Sequence, residues 1–298
     1  MALLVRRAFR HLSRVSDVLF RHTLLEREIT IFDDDVFLTS YPRSGNTWTR
    51  FLVGNFLNPN EPVTFLNVER LVPDMYKTAD WVLRRRPRPR VLKSHESFDA
   101  RYRRVIYIVR DPRDVAISNY HWEMKLRSVP EGCPIEQFVP LWMSGNFWRR
   151  IGSWADHVNS WLATRHGRTT PGHDSFVLMR YEDLQANTQR ELARLAGFMG
   201  VEPDPARIAS AIERSSASNM RKMEETQGKK WVATFHTRSD KPFVRKASAG
   251  GWRAVLPPQT VSYMEEHWGG IMKQLGYPLS TEMESPSATE TQAPVGSR

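Results

Sequence analysis

The chain has 298 residues, 40% hydrophobic and 26% charged, a composition that excludes wholesale disorder and fibrous repeats. Its 43 Lys and Arg against 33 Asp and Glu give a formal charge of +10, which points to an anionic partner: nucleic acid, a membrane surface or a phosphorylated ligand. One cysteine, Cys133, excludes an intramolecular disulfide and multi-cysteine zinc or iron–sulfur sites, and no apolar run reaches the roughly 18 residues of a transmembrane helix.

Residues 1–32 read as a basic amphipathic segment. Arg6, Arg7, Arg10, Arg14 and Arg21 face one early acid, Asp17, while Leu3, Leu4, Phe9, Leu12, Val15, Val18 and Leu19 recur near helical spacing. Three readings stay open: a helix docked on its own domain, a peripheral membrane-surface helix, or an organelle-targeting peptide. Val36 to Thr39 is the first strand-like run, followed by a turn and a helix from about Asn46. Arg90 to Lys93 is a second short run. The cluster Arg84 to Arg90 contains Pro87 and Pro89 and therefore reads as a loop. Val105 to Val109 is β-branched or aromatic at every position. The next helix starts at Pro112 with Asp111 as N-cap. Ser175 to Met179 is a fourth strand, followed by acidic turn residues and a helix over 187–199. Continuous apolar strands alternating with helices predict a single α/β domain with a central parallel β-sheet flanked by helices, over 33–278. The Ser-, Thr-, Glu- and Pro-rich segment 279–298 reads as a disordered tail.

The first strand runs into Ser40-Tyr41-Pro42-Arg43-Ser44-Gly45-Asn46-Thr47-Trp48. A strand, a turn and a helix N-terminus form a P-loop-like phosphate-binding setting, because first-turn backbone amides attract anionic oxygen. Against the nucleotide-triphosphatase pattern, Gly45 and Thr47 are kept, but Asn46 replaces the lysine that reaches a γ-phosphate. The loop therefore suits a phosphate that is not part of a triphosphate.

This loop resembles the 5′-phosphosulfate loop of the sulfotransferases that use 3′-phosphoadenosine 5′-phosphosulfate (PAPS). Further segments follow in the family's order. Arg104 to Tyr120 resembles the strand–helix unit that binds the 3′-phosphate. Gly152-Ser153-Trp154 with His157 and Trp161 is similar to the family's central helix. Met179 to Leu184 is similar to its YED segment. Phe243 to Lys246 with Gly250 to Arg253 resembles its RKG…GDW loop. The resemblance covers about residues 33–278 and implies a cytoplasmic enzyme that moves a sulfuryl group in line from PAPS to a hydroxyl or amine, with no metal.

The resemblance also implies roles. Arg43, where many members carry lysine, would contact the phosphosulfate bridge and support catalysis. Thr47 and the amides of Ser44, Gly45, Asn46 and Thr47 would hold the 5′-phosphate. Arg110 and Ser118 would bind the 3′-phosphate, with Arg245 and Lys246 closing over it. Trp48 would stack on adenine, and Tyr181 would meet its edge. Lys93 and His95 match the catalytic Lys-x-His pair, and alternation along a strand puts both on one side. His95 would act as general base and Lys93 would stabilise the transferring group. Departures from the pattern are Ala247 for the RKG glycine, Gly251 for the GDW aspartate, and Ala217 where a phenylalanine covers adenine, with Trp231 as the candidate replacement. Arg113 and Asp114 read as salt-bridge partners.

The acceptor stays open among a small molecule, a lipid and a glycan. Trp81, Leu126, Trp142, Met143, Phe147 and Trp148 suggest an apolar wall, and no oligomeric state is implied. Two other classes compete. One is a small-molecule kinase with a divergent phosphate loop. The other is a basic nucleic-acid-binding module centred on Arg84 to Arg90, although no nucleic-acid-reading motif accompanies it.

Overall fold

The protein is described from a computed structural model over residues 29–165 and 175–283. Most of the expected N-terminal helix, and the tail beyond 283, lie outside the described residues. Four strands, β1 (Val36–Ser40), β2 (Val91–Ser94), β3 (Arg104–Val109) and β4 (Ser175–Arg180), form one sheet in the order β2-β1-β3-β4. Every pairing is parallel, with Val36 opposite Val91 and Arg104, and Arg104 opposite Ser175. The strands match the four sequence runs to within a residue or two at their ends.

The longer helices are α1 (Asn46–Leu57), α2 (Pro112–Lys125), α3 (Ile135–Met143), α4 (Trp154–Arg165), α5 (Tyr181–Ala186), α6 (Thr188–Met199), α7 (Pro205–Arg214), α8 (Ala217–Gln227) and α9 (Pro258–Gln274). Local chemistry fixes several starts. The Asp111 carboxylate accepts from the Arg113 amide at 2.9 Å, and Asn187 and Asp204 do the same for Arg190 and Arg207. Ser153 and Asp156 cap α4 reciprocally, at 3.2 Å from the Asp156 amide to the Ser153 hydroxyl and 3.0 Å from the Ser153 amide to the Asp156 carboxylate. The acidic residues after β4, expected as a turn, instead open α5.

Side-chain alternation gives the sheet two buried faces. Val36, Leu38, Ile106 and Ile108 pack with Leu52, Phe56, Leu192 and Leu195. On the other face, Phe37 stacks on Tyr102 at 3.6 Å, and Tyr102 and Tyr107 lie against Trp161 of α4. Burial on both faces is what a parallel sheet requires.

The chain divides into two compact units, 1–256 and 257–298. The sheet and the site below belong to the first. In the second, the Glu265 carboxylate of α9 accepts from the Ser280 amide at 3.0 Å and from its hydroxyl at 2.6 Å, and Ser280–Met283 is a one-turn helix. The segment expected to be disordered from 279 therefore begins with ordered structure. No helix among the described residues is long and apolar enough to cross a membrane.

Candidate active site

The turn after β1 lies beside the C-terminal ends of the parallel strands, where open α/β sheets bind ligands. Arg43 has φ 71° and Gly45 φ 101°, so the chain turns through the left-handed region twice in three residues. At Gly45 a side chain would also overlap the Tyr181 ring, which makes glycine necessary on both counts. The first intrahelical bond runs from the Thr49 amide to the Gly45 carbonyl at 3.1 Å. The Asn46, Thr47 and Trp48 amides precede it at the positive end of the helix dipole.

Two residues of this loop are engaged within the fold. Ser44 is fully buried, and its amide points to the Tyr41 carbonyl at 3.3 Å, so the turn itself occupies it. The Asn46 side chain folds inward, donating to the Leu38 carbonyl at 3.1 Å and to the Ser40 hydroxyl at 3.2 Å. It braces the loop against β1 and leaves only its backbone for a ligand.

A cavity of about 610 Å³ opens onto this turn. Around it the structure gathers Arg43, Gly45, Asn46, Thr47, Trp48, Lys93, His95, Arg110, Ser118, Tyr181, Arg245 and Lys246, every sequence-expected site residue except Ser44. Arg43 Nε donates to the Ser118 hydroxyl at 3.2 Å, and its guanidinium lies over Trp122 and Phe243 at 5.0 and 4.6 Å. Burial, then the charges of Arg110 and Arg245, lower its pKa to about 9, so Arg43 remains a cation at neutral pH under local repulsion. Arg110 covers the Tyr181 ring at 4.3 Å and donates to the Ser248 carbonyl at 2.9 Å. Its buried Nε has no partner among the described residues. Convergent guanidinium groups form a site for a multiply charged anion. Trp48 is fixed by its indole N–H to the Ser215 carbonyl at 3.1 Å and meets Tyr181 edge-on. Trp231 also lines the cavity, and so does Ala217.

Lys93 and His95 share one wall. The His95 Nδ1 lies 2.7 Å from the Ser40 carbonyl. A carbonyl only accepts, so Nδ1 carries the proton and Nε2 keeps its lone pair. Burial, reinforced by the Lys93 charge, holds the imidazole well below its ordinary pKa, so it is neutral at physiological pH. The backbone is pinned as well. The His95 amide donates to the Tyr76 hydroxyl at 2.8 Å, and its carbonyl accepts from His157 Nε2 at 3.2 Å. The other nitrogen of His157 accepts from the Tyr107 hydroxyl at 2.8 Å. His157 is thus a hold on His95.

Sequence reasoning missed three participants. Asp74 pairs with Lys93, Oδ2 to Nζ 2.5 Å. Arg50, buried in α1, lines the cavity and pairs with Glu69 at 3.0 Å. Asp114 forms the expected ion pair, with Arg110 at 3.8 Å, but its role in the loop was missed: its carboxylate also accepts from the amides of Gly250 at 2.7 Å and Trp252 at 3.0 Å. Arg113 likewise forms the expected pair, with Asp111 at 2.7 Å. Ala247 adopts φ 52°, so the loop keeps a left-handed turn even without glycine there.

A helix-terminal anion cradle, an arginine cluster and an oriented neutral histidine define a protein built to handle a polyanionic group-transfer donor. The chain belongs to the sulfotransferase domain family, whose model matches residues 33–276. Among its relatives, dog sulfotransferase 1B1 is 27% identical over 236 residues, covering 74% of this chain and 77% of the relative. Rat sulfotransferase 1E1 is 26% identical over 266 residues, covering 84% and 87%. A crystal structure of mouse sulfotransferase SULT7A1 complexed with PAP, 23% identical, covers 85% of this chain and 90% of that one with a TM-score of 0.67, which supports the fold.

Proposed function

We propose that this protein transfers a sulfuryl group from PAPS to a hydroxyl or amine of a small-molecule acceptor, with His95 as general base. The carrying observation is the shared cavity. Its lining brings a neutral histidine with Nε2 unprotonated together with Arg43, Arg110 and Arg245.

The residues fit the donor. The amides of Asn46 to Trp48 with the Thr47 hydroxyl suit its 5′-phosphate, and Arg110 with Ser118, Arg245 and Lys246 suits the 3′-phosphate. PAP, the same nucleotide without the sulfuryl group, is bound by the mouse structural relative. The donor supplies the sulfuryl group. His95 Nε2 takes the acceptor's proton as the new oxygen–sulfur or nitrogen–sulfur bond forms, and the cations stabilise charge on the departing phosphate. Trp122, Leu126, Trp148, Val232 and Phe235 line the same cavity, which favours an acceptor with an apolar body.

The kinase alternative loses its footing because Asn46, in the place of the phosphate-loop lysine, is bonded inward to β1. The nucleic-acid alternative depends on an available basic run. Arg84, Arg88 and Arg90 instead pair with Asp80, Asp34 and Asp35, and Arg85 lies over Trp81. Titration calorimetry tests the reading: PAP should bind at least tenfold more tightly than ADP without magnesium. Equal affinities, or a strict metal requirement, would refute PAPS as donor.

A further inference from the structure

We propose that Asp74 is a positioning residue that holds the Lys93 ammonium in place for sulfuryl transfer, a role that rests on the function proposed above. The segment carrying Asp74 is laced onto the backbone of Lys93 itself. The Lys93 amide donates to the Pro73 carbonyl at 2.9 Å, and the Met75 amide donates to the Lys93 carbonyl at 3.2 Å. Asp74 and Lys93 of β2 thereby form a parallel bridge, and their side chains meet through Oδ2 and Nζ at 2.5 Å.

Asp74 is itself held on every side. Its other carboxylate oxygen accepts from the Tyr76 amide at 3.0 Å. Its amide donates at 2.9 Å to Glu69, the partner of Arg50, and Arg50 Nε is tied to the Val72 carbonyl at 3.0 Å. With both oxygens occupied, the carboxylate can set a cation's position but has little capacity left for a substrate.

A carboxylate beside a catalytic cation weakens the cation's pull on developing charge. What it secures is the charge itself. Burial lowers the Lys93 pKa and Arg50 opposes its proton, while Asp74 and Glu69 support it. The Tyr76 ring at 5.8 Å adds a weak cation–π contact, and the neutral His95 adds no charge of its own. Without Asp74, desolvation and Arg50 dominate, and a buried amine in that setting gives up its proton. Lys93 would then face the transferring group as a neutral amine.

Competitive acetylation with acetic anhydride, read by peptide mass spectrometry, reports the protonation of Lys93 independently of turnover. In Asp74→Asn, Lys93 should react about tenfold faster than in the wild type near pH 8. The alkaline limb of kcat/KM should move to lower pH, with PAP affinity retained within about threefold. A folded Asp74→Asn protein with unchanged labelling, or with activity reduced equally at all pH values, overturns the role of Asp74. If the wild type shows no PAPS-dependent turnover while the labelling shift persists, the proposed function falls, and the catalytic purpose of the pair falls with it. Should Asp74→Asn not fold, Asp74→Glu decides: its longer arm should keep the wild-type pH limb but lower kcat. A wild-type kcat, or a displaced pH limb, in that variant overturns the proposal.

Discussion

His95 is fixed at three points: ring nitrogen to Ser40, amide to Tyr76, carbonyl to His157. Together these choose the tautomer and fix the ring in the cavity wall. A base used in this way contributes to the transition state more than to donor binding. His95→Ala should therefore slow turnover by about 10²–10⁴-fold while PAP affinity stays within a few-fold, as measured by acceptor sulfation and calorimetry on a variant whose circular dichroism is native. Near-normal turnover with a rate-limiting chemical step would remove His95 from the mechanism. Because burial and Lys93 depress its pKa below the ordinary 6.5, protonation disables the base only well below that value. The acid limb of wild-type kcat/KM should accordingly lie below pH 6.5 and disappear in the variant. The Lys-x-His spacing made this pair legible in the sequence. Asp74 was not legible, because it meets Lys93 through a bridge between segments 19 residues apart, and no local pattern encodes that register.

At the scale of elements, the segment from Phe243 to Trp252 runs along the cavity with almost no regular structure, yet its backbone is gripped from three helices and from the end of β3. Glu224 of α8 accepts from the Phe243 and Val244 amides, and Arg221 of α8 donates to the Arg245 carbonyl. Gln185 of α5 bonds Ala247 and Ala249. Arg110, at the end of β3, takes the Ser248 carbonyl, and Asp114 of α2 holds Gly250 and Trp252. The first turn of α2 belongs to this grip through the indole of Trp252, which Arg113 covers at 3.8 Å. The strap delivers Arg245 and Lys246 to the cavity, so Asp114 should influence ligand affinity through the strap it anchors. Asp114→Asn exchanges two charge-assisted bonds, each worth about 1.5–3 kcal/mol, for at most one neutral bond. PAP should bind at least tenfold more weakly, and amide exchange over 248–252 should accelerate while β1 and β3 stay protected. Unchanged affinity with a native exchange pattern would show that the strap needs no anchor there. The strands and the N-caps of α2 and α6 were readable from short-range chemistry. The strap's anchors were not, since Asp114 and Gly250 are 136 residues apart, and a charge in a first helical turn looks in sequence like one half of a surface ion pair.

Across the sheet-bearing unit, buried titratable groups pull stability in opposite directions as pH changes. His157, fully buried, is lowered to about 4 by burial. Its folded form refuses a proton that the unfolded chain accepts near 6.5, so its contribution is complete above 6.5 and is lost as pH falls toward 4. Glu123, also buried, is raised to about 7 by burial, against the opposing pull of Ser128 and Arg43. Its folded form keeps a proton that the unfolded chain releases near 4.5. That contribution is complete below 4.5 and is lost as pH rises toward 7. Each shift corresponds to roughly 3 kcal/mol, so between about pH 4.5 and 6.5 the two slopes largely cancel. Glu123→Gln keeps the shape but removes one slope. Relative to the wild type, its melting temperature should rise with pH across that window and reach its largest advantage near neutrality. His157→Gln should show the reverse, gaining on the wild type as the solution is acidified from 6.5 to 4. Thermal melts of the three proteins at matched ionic strength, taken as differences at each pH, read these slopes directly. Parallel curves for Glu123→Gln and the wild type would show that its carboxyl titrates alike in the folded and unfolded chain, and that burial beside Arg43 leaves it as ionised as in water.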